Sequence, residues 1–315
     1  MKKLIYVLSA IGAAFAGTAS ADVSVSGSGA AVYASSGSNQ YVNTSGAVSF
    51  ALSTATASGM TISASAGMTT DYEGTAAGGI SGMNSLAFAT GGTTITIGND
   101  VAAPQIGGVG SVASDMADQG HQSIDASPSV ATDADQDGSG ITLSTAIGGG
   151  TFTAAYVWDG SPNANGQGNP DAADSSMGFS FSMPAGAATV TVGYSSSDDT
   201  SGTNDTMTGA TIAYPVSGGT LSVGYQTTSG GTEANALSAK YSMTLDADTT
   251  IAVGIKSADE GAASASTTEA KITRSIGGGA SIFAELKNSS GNSSGVGSAT
   301  AGASSTFVVG STVAF

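Results

Sequence analysis

One segment of the chain concentrates the side chains that could bind ions or move protons. Residues 99–140 hold seven aspartates and the only histidine, His121, of a chain of 315 residues. Converging carboxylates attract cations or coordinate a hard metal ion. Catalysis at His121 would need a nucleophile and an orienting acid around it, and the sequence identifies no such set. The aspartates are Asp100, Asp115, Asp118, Asp125, Asp133, Asp135 and Asp137.

The last three of these acids have the spacing of a cation-binding turn. Asp133, Asp135 and Asp137 alternate and are followed by Gly138, and this D-x-D-x-D-G pattern can wrap a calcium ion in carboxylate oxygens. A helix-loop-helix calcium site needs glutamate at its twelfth position, where this chain has Ser144, so that motif is excluded. A looser calcium loop and a polar turn that enters the next strand both remain open.

The N-terminus has the features of an export signal in the right order. A basic start is followed by an apolar run over residues 4–15, too short to cross a bilayer, and by a small-x-small cleavage pattern at residues 19–21. We therefore expect residues 1–21 to be a signal peptide and residues 22–315 to form one domain. Removal of Lys2 and Lys3 would leave five basic and 23 acidic residues, a formal charge of −18. This charge argues against nucleic acid as a partner.

The remainder of the chain is predicted to consist of short β-strands. Sixteen stretches alternate apolar and small polar residues with a period of two, as in residues 190–194 and 221–225. Leucine, isoleucine and phenylalanine are scarce, so a water-soluble globule of this size would lack a sufficient core. The regular alternation argues against disorder. The absence of cysteine excludes disulfides and thiolate metal sites.

The connections between the predicted strands alternate between short turns and longer loops. Residues 148–150 and 277–279 are short and glycine-rich, whereas residues 159–176 and 288–305 are long. An even number of strands with two alternating classes of loop is typical of a barrel in the bacterial outer membrane. The sequence therefore predicts an all-β fold, a 16-stranded antiparallel transmembrane β-barrel with a polar lumen. Residues 99–140 then form the third outside loop.

The five basic residues that remain after cleavage all lie on predicted strands twelve to fifteen. Arg274 is the one charge expected on the lipid-facing side, near a turn, where an interface tolerates it. The other four point into the lumen by parity, across the ring from the strands that hold residues 99–140. The loop acids would then face these lysines, unless the lysines pair with glutamates of their own strands. They are Lys240, Lys256, Lys271 and Lys287.

Three local segments match one known family. Residues 306–315, which end in Phe315, follow its C-terminal pattern, and residues 277–282 and 98–100 are most similar to its alphaproteobacterial, Rhodobacter-type branch. With the signal peptide and strand pattern, the chain resembles the Gram-negative general porins. The resemblance implies a homotrimer in the outer membrane of a Gram-negative bacterium, surrounded by lipid and lipopolysaccharide, with the third loop folded inward. It also implies that the barrel-assembly machinery recognises Phe315.

These observations favour a water-filled, cation-selective channel for passive diffusion of small hydrophilic solutes and ions. We expect no enzymatic activity and no required cofactor, with calcium as the one ion that the turn described above could bind. The alternative is a secreted or surface structural β-protein; a β-solenoid would need a short fixed repeat, which the sequence lacks. The expected constriction residues are Asp100, Asp115, Asp118, His121 and Asp125, opposite the four lysines.

Overall fold

The computed structural model describes residues 21–36, 39–71, 80–81, 83, 85–98, 101, 106–109, 112, 139–158, 175–198, 204–230, 233–260, 263–291 and 304–315. No helix in these ranges is long and apolar enough to cross a membrane. The strands are β1 (Ala21–Ser36), β2 (Asn39–Ala55), β3 (Thr61–Asp71), β4 (Ile80–Ser81), β5 (Ser85–Thr90), β6 (Thr93–Gly98), β7 (Ser139–Ile147), β8 (Gly150–Trp158), β9 (Ser175–Ala185), β10 (Ala188–Asp198), β11 (Asn204–Val216), β12 (Gly219–Ser229), β13 (Ala234–Thr244), β14 (Thr249–Glu260), β15 (Ala263–Gly277), β16 (Ala280–Gly291) and β17 (Ser304–Ala314).

These segments form one antiparallel sheet that closes on itself. β1 pairs with β2 on one side and with β17 on the other. β4 and β5 both pair with β3, so together they make one interrupted strand of a closed 16-strand barrel. Closure leaves no free sheet edge, which lipid would not tolerate. The predicted fold class, an antiparallel barrel of 16 strands, is confirmed.

Tight glycine turns join several of the strands at one end of the barrel. Gly91 and Gly92 connect β5 to β6 with φ angles of 56° and 81°. Two-residue hairpins with positive φ at both central positions have a twist that matches the flanking strands, and glycine adopts this conformation without a steric cost. The short turns predicted from sequence are present here and at Gly148–Gly149.

Side chains along each strand alternate between two faces. On β12, Leu221 and Tyr225 are exposed, whereas Gly224 and Gln226 are buried. The same alternation places the exposed large apolar side chains on one face, which we term the apolar face, and mainly Ser, Thr, Ala and Gly on the other, the polar face. A continuous exposed apolar surface is what a lipid-facing surface requires. We therefore assign the polar face to the inside of the barrel.

The apolar face carries a charge that was not predicted, at the end of β14. β14 continues beyond Ile255 to Glu260, which places Asp259 in the same register as Ile255 and Val253. The prediction of a single charge on this face was wrong, because the apolar alternation ends before the strand does. Asp259 is exposed and lies next to the last residue of β14, at the end of the strand away from the turn between β13 and β14, where the barrel wall extends toward water.

Arg274, the charge that was predicted, lies beside the turn between β13 and β14. Its Nη1 donates to Thr249 Oγ1 at 3.1 Å and lies 3.8 Å from Asp246 Oδ2. The backbone N–H of Asp248 also donates to Asp246 Oδ1 at 2.9 Å. That hydrogen bond, followed by the one from Thr249, holds the pKa of Asp246 below its usual range. The guanidinium thus finds polar partners at the edge of the apolar surface.

Candidate functional site

Part of the segment 99–140 lies against the polar face of strands several places around the barrel from β6 and β7. Ile106 is 2% exposed, and Gly107 is also buried. Both residues lie against glycines of β10, β11 and β12 so closely that a Cβ atom on those glycines would overlap them. We name this set the glycine seat. It consists of Gly193, Gly209 and Gly224.

The register of the sheet brings these three glycines together. Gly193 and Gly209 are direct partners across β10 and β11, and Gly224 is two residues from Gln226, the partner of Gly209 on β12. A Cβ at Gly209 would lie 2.7 Å from the Cα of Gly107, a separation that real contacts do not allow. The absence of side chains therefore lets the backbone of the segment approach the wall closely.

Gly107 itself has a conformation that few other residues adopt. Its φ of 76° is in the left-handed region, and a Cβ there would lie 2.6 Å from Gln226 Cβ. Both the backbone conformation and the close approach therefore favour glycine at this position.

Two hydrogen bonds attach the segment further around the wall. The backbone N–H of Val109 donates to Ser238 Oγ at 3.1 Å, and that of Val112 donates to Glu269 Oε2 at 2.7 Å. Val112 also packs on Gly254, where a Cβ would lie 2.9 Å from its Cγ2. A hydrogen bond to a buried carboxylate is stronger than one between neutral groups. The segment is thus attached to β13 and β15 as well as to the glycine seat.

A cluster of buried charges surrounds the attachment at Glu269. Glu269 lies directly opposite Lys287, and Lys271 lies directly opposite Glu285, across β15 and β16. Lys271 Nζ is 2.7 Å from Glu285 Oε1 and 5.0 Å from the centre of the Phe283 ring. Charges removed from water are tolerated when they are paired in this way.

The four lysines of the predicted basic wall all lie on the polar face. Lys256 and Lys287 are each 3% exposed, whereas Lys240 and Lys271 are half-buried. Lys271 has the pairing with a glutamate that the sequence left as an alternative. The contacts of Val112 show that the segment 99–140 reaches the strands that carry these lysines.

The predicted acids and the histidine of the segment lie outside the described residues. The opposed arrangement of loop acids and lysines therefore stays a prediction, as does the calcium turn. Within the described ranges, no group of three or more His, Asp or Glu side chains could hold a metal ion. The predicted residues concerned are Asp100, Asp115, Asp118, His121, Asp125, Asp133, Asp135 and Asp137.

Phe315 lies at the seam where the barrel closes. Its backbone exchanges two hydrogen bonds with Gly27 of β1, at 2.9 and 3.0 Å. Its ring lies over the same residue, and a Cβ at Gly27 would come within 2.6 Å of Cε2. The ring is 78% exposed and therefore adds to the apolar face rather than to the polar one.

The glycine seat and its neighbour Ser238 were not predicted from the sequence. Each glycine is in the middle of a strand, where glycine weakens packing and often marks the close approach of another backbone. That signal was present at Gly193, Gly209 and Gly224, but many other glycines of this chain share it. Only the register shows that these three are neighbours.

Comparison with solved structures supports the fold. A porin refined at 1.8 Å resolution matches with a TM-score of 0.69 and 16% identity, over 93% of this chain and 100% of that chain. The trimer form of OmpT, an outer membrane protein of Vibrio cholerae, matches with a TM-score of 0.64 and 10% identity, over 94% and 100%. An anion-selective porin from Comamonas acidovorans matches with a TM-score of 0.62 and 12% identity, over 94% and 100%.

Comparison with sequence families is more specific. A search of curated proteins gave no match. In contrast, the family model described as Gram-negative porin matches residues 8–294. The comparisons do not assign the chain to the alphaproteobacterial branch. Because the family model spans nearly the whole of the closed barrel, the chain belongs to the Gram-negative porin family and is a channel protein of the outer membrane.

Proposed function

We propose that this porin is a passive diffusion channel for small hydrophilic solutes and ions, with a preference for cations. The observation that carries this proposal is the attachment of Ile106, Gly107, Val109 and Val112 to the polar face of a closed barrel. A chain segment held across the inner wall reduces the cross-section that is left for solutes. Sixteen strands otherwise enclose an aqueous channel.

The cation preference is proposed from the charges of the chain. The segment 99–140 has seven aspartates and no lysine or arginine, and the chain without residues 1–21 has a formal charge of −18. A ring of carboxylates attracts cations at close range. A solved porin with the same fold is anion-selective, so the fold does not set the sign of selectivity and the residues of each chain must do so.

Planar-bilayer recordings test both statements. We expect discrete conductance steps and a reversal potential in a salt gradient that favours cations. Replacement of Asp115, Asp118 and Asp125 together by asparagine should move that potential toward zero. A matched control is Asp259→Asn, which removes an acid from the apolar face and should leave the potential unchanged. Protein that gives no steps and is soluble without detergent contradicts the channel function; an unchanged potential in the triple variant contradicts the role of the loop acids.

We further propose that the protein acts without a reaction or a required cofactor. The turn at Asp133, Asp135 and Asp137 is proposed as a calcium site of the pore mouth, where the ion would reduce the repulsion among neighbouring acids. A calcium titration of the conductance, with Asp135→Asn as the comparison, tests this site. A response that is the same in both proteins contradicts it.

A homotrimer embedded in outer-membrane lipid and lipopolysaccharide is the assembly that we propose. The support comes from the match to an outer membrane protein in its trimer form and from the first strand of this chain. The apolar face of β1 has Gly29 and Ala31, whose small side chains let a second barrel approach closely. Sedimentation in detergent should give three chains per particle, and a monomer would contradict the proposal.

Phe315 is proposed as the residue that the barrel-assembly machinery recognises. We expect Phe315→Ala to reduce the amount of folded barrel in cells, because the machinery would no longer bind the last strand. The purified, denatured variant should still refold in detergent with nearly the yield of the original protein. An equal loss in cells and in detergent would instead assign Phe315 only to packing over Gly27 at the seam.

A further inference from the structure

The polar face is covered on one side of the barrel and open on another. On β13 and β15, Ser238 and Thr267 are 1% and 3% exposed; Ser238 accepts from Val109, and Thr267 is two residues from Glu269, which accepts from Val112. On β2 and β3, Ser49, Ala51 and Ser65 of the same face are exposed. We term the first region the covered wall and the polar face of β2, β3, β5 and β6 the open wall.

Depth in the membrane does not explain this difference. Ser65 lies close to the start of β3 (Thr61–Asp71), and Gly254 lies at a similar distance from the start of β14 (Thr249–Glu260). Both strands start from a short turn, so the two residues lie at comparable heights. Gly254 is buried under Val112, whereas Ser65 is exposed opposite Ala51. The described residues 106–109 and 112 therefore cover one side of the lumen, whereas Ser49, Ala51 and Ser65 on the other side are exposed.

The chemistry of the two walls also differs. Among the strands that the structure describes, β13, β14, β15 and β16 carry the lysines and glutamates of the polar face whose exposure is known. The strands that form the open wall contain no Lys, Arg or Glu, and their single Asp is Asp71, the last residue of β3. The open wall has instead the hydroxyls of serine and threonine, interspersed with alanine. They include Ser45, Ser49, Ser53, Ser63, Ser65 and Thr96.

We propose that solutes cross along the open wall and that this path passes neutral solutes rich in hydroxyl groups faster than anions of similar size, while cations keep the advantage over anions proposed above. Serine and threonine hydroxyls both donate and accept hydrogen bonds, so they replace the water around a polyol at little net cost. Away from Asp71 at the end of β3, this wall has no fixed charge and does not concentrate ions against it. The lysines of the covered wall take no direct part in selecting solutes. This inference rests on the proposed channel function and assigns its path and its preferred solutes.

Single cysteines provide the test, because the chain has no native cysteine. We compare Ser65→Cys on the open wall with Ser238→Cys and Thr267→Cys on the covered wall, so that one covered position remains if the other variant does not fold. Each protein is treated in planar bilayers with a trimethylammonium methanethiosulfonate and with a sulfonate methanethiosulfonate. At Ser65→Cys we expect lower conductance with both reagents, and opposite shifts of the reversal potential. At the covered positions we expect no change.

The outcomes separate the path from the channel function itself. Unmodified variants that give no conductance steps contradict the channel function. Variants that conduct, but respond equally at Ser65→Cys and Thr267→Cys or only at the covered positions, overturn the path. The class of solute is tested by liposome swelling, in which ribitol should enter faster than gluconate, a singly charged anion of similar size. Entry of gluconate at the same rate or faster overturns the preference for neutral solutes.

Discussion

Glu269→Gln is expected to lower the free energy of unfolding by about 3–5 kcal/mol, the usual cost of removing one partner from a buried charge pair. Glu269 is buried, lies directly opposite Lys287 and interacts electrostatically with it. Lys287 also experiences the repulsion of Lys256, so loss of the carboxylate would leave two buried cations without that counter-charge. Urea unfolding of the folded barrel in lipid vesicles measures the change, which should appear in the midpoint rather than the slope.

Two further variants identify the cause of this expected loss. Glu233→Gln removes an exposed carboxylate near the start of β13 and should change the stability by less than about 0.5 kcal/mol. The double variant Glu269→Gln with Lys287→Met removes a buried cation as well and should regain part of the stability. If the double variant is no more stable than Glu269→Gln alone, Glu269 and Lys287 do not act as a pair.

Gly209→Ala is expected to detach the segment 99–140 from the wall and to make the channel wider and noisier. The new methyl group would lie 2.7 Å from the Cα of Gly107, and backbone atoms on both sides leave no flexible side chain to move away. Overpacking of this kind costs about 1–3 kcal/mol. Each ~1.4 kcal/mol changes a population tenfold, so the detached state should become at least several-fold more populated.

Single-channel recordings measure this population through the conductance and the open-channel noise. The matched control is Gly29→Ala in β1, where the nearest atom to the new methyl group would be Val313 Cγ1 at an ordinary 3.6 Å. Because Gly29 also lies on the proposed subunit contact, sedimentation first checks that the variant has the same number of chains per particle, and it should then conduct like the original protein. A Gly209→Ala channel with unchanged conductance and noise would show that the glycine seat does not hold the segment in place.

The strand pattern was accessible from the sequence because a barrel in lipid imposes a simple rule on every strand. Residues such as Leu221 and Tyr225 must face lipid, so apolar side chains recur at every second position in β12 and throughout the sheet. The same rule failed at Asp259, since the wall extends beyond the apolar band and the period no longer reports the end of the strand. The alternation of apolar residues also did not predict the interruption between β4 and β5.

The environment of the site was less accessible, since it depends on contacts between residues far apart in the chain. Parity alone placed Lys256 and Lys287 on the polar face, but parity does not report what covers a side chain. Their burial and the link from Val112 to Glu269, 157 positions apart, appear only in the folded barrel. The expected facing of acids and lysines across an open lumen did not take account of this contact.

The sequence by itself determined the periodic properties of this protein: its strand pattern, its two faces, its short glycine turns and its acidic segment. These properties follow from each residue and its near neighbours, because lipid acts on every strand in the same way. The tertiary structure alone decided the register that aligns Gly193, Gly209 and Gly224, and therefore where residues 106–112 attach. Close packing depends on which atoms meet across the barrel, and neither composition nor residue spacing predicts those contacts.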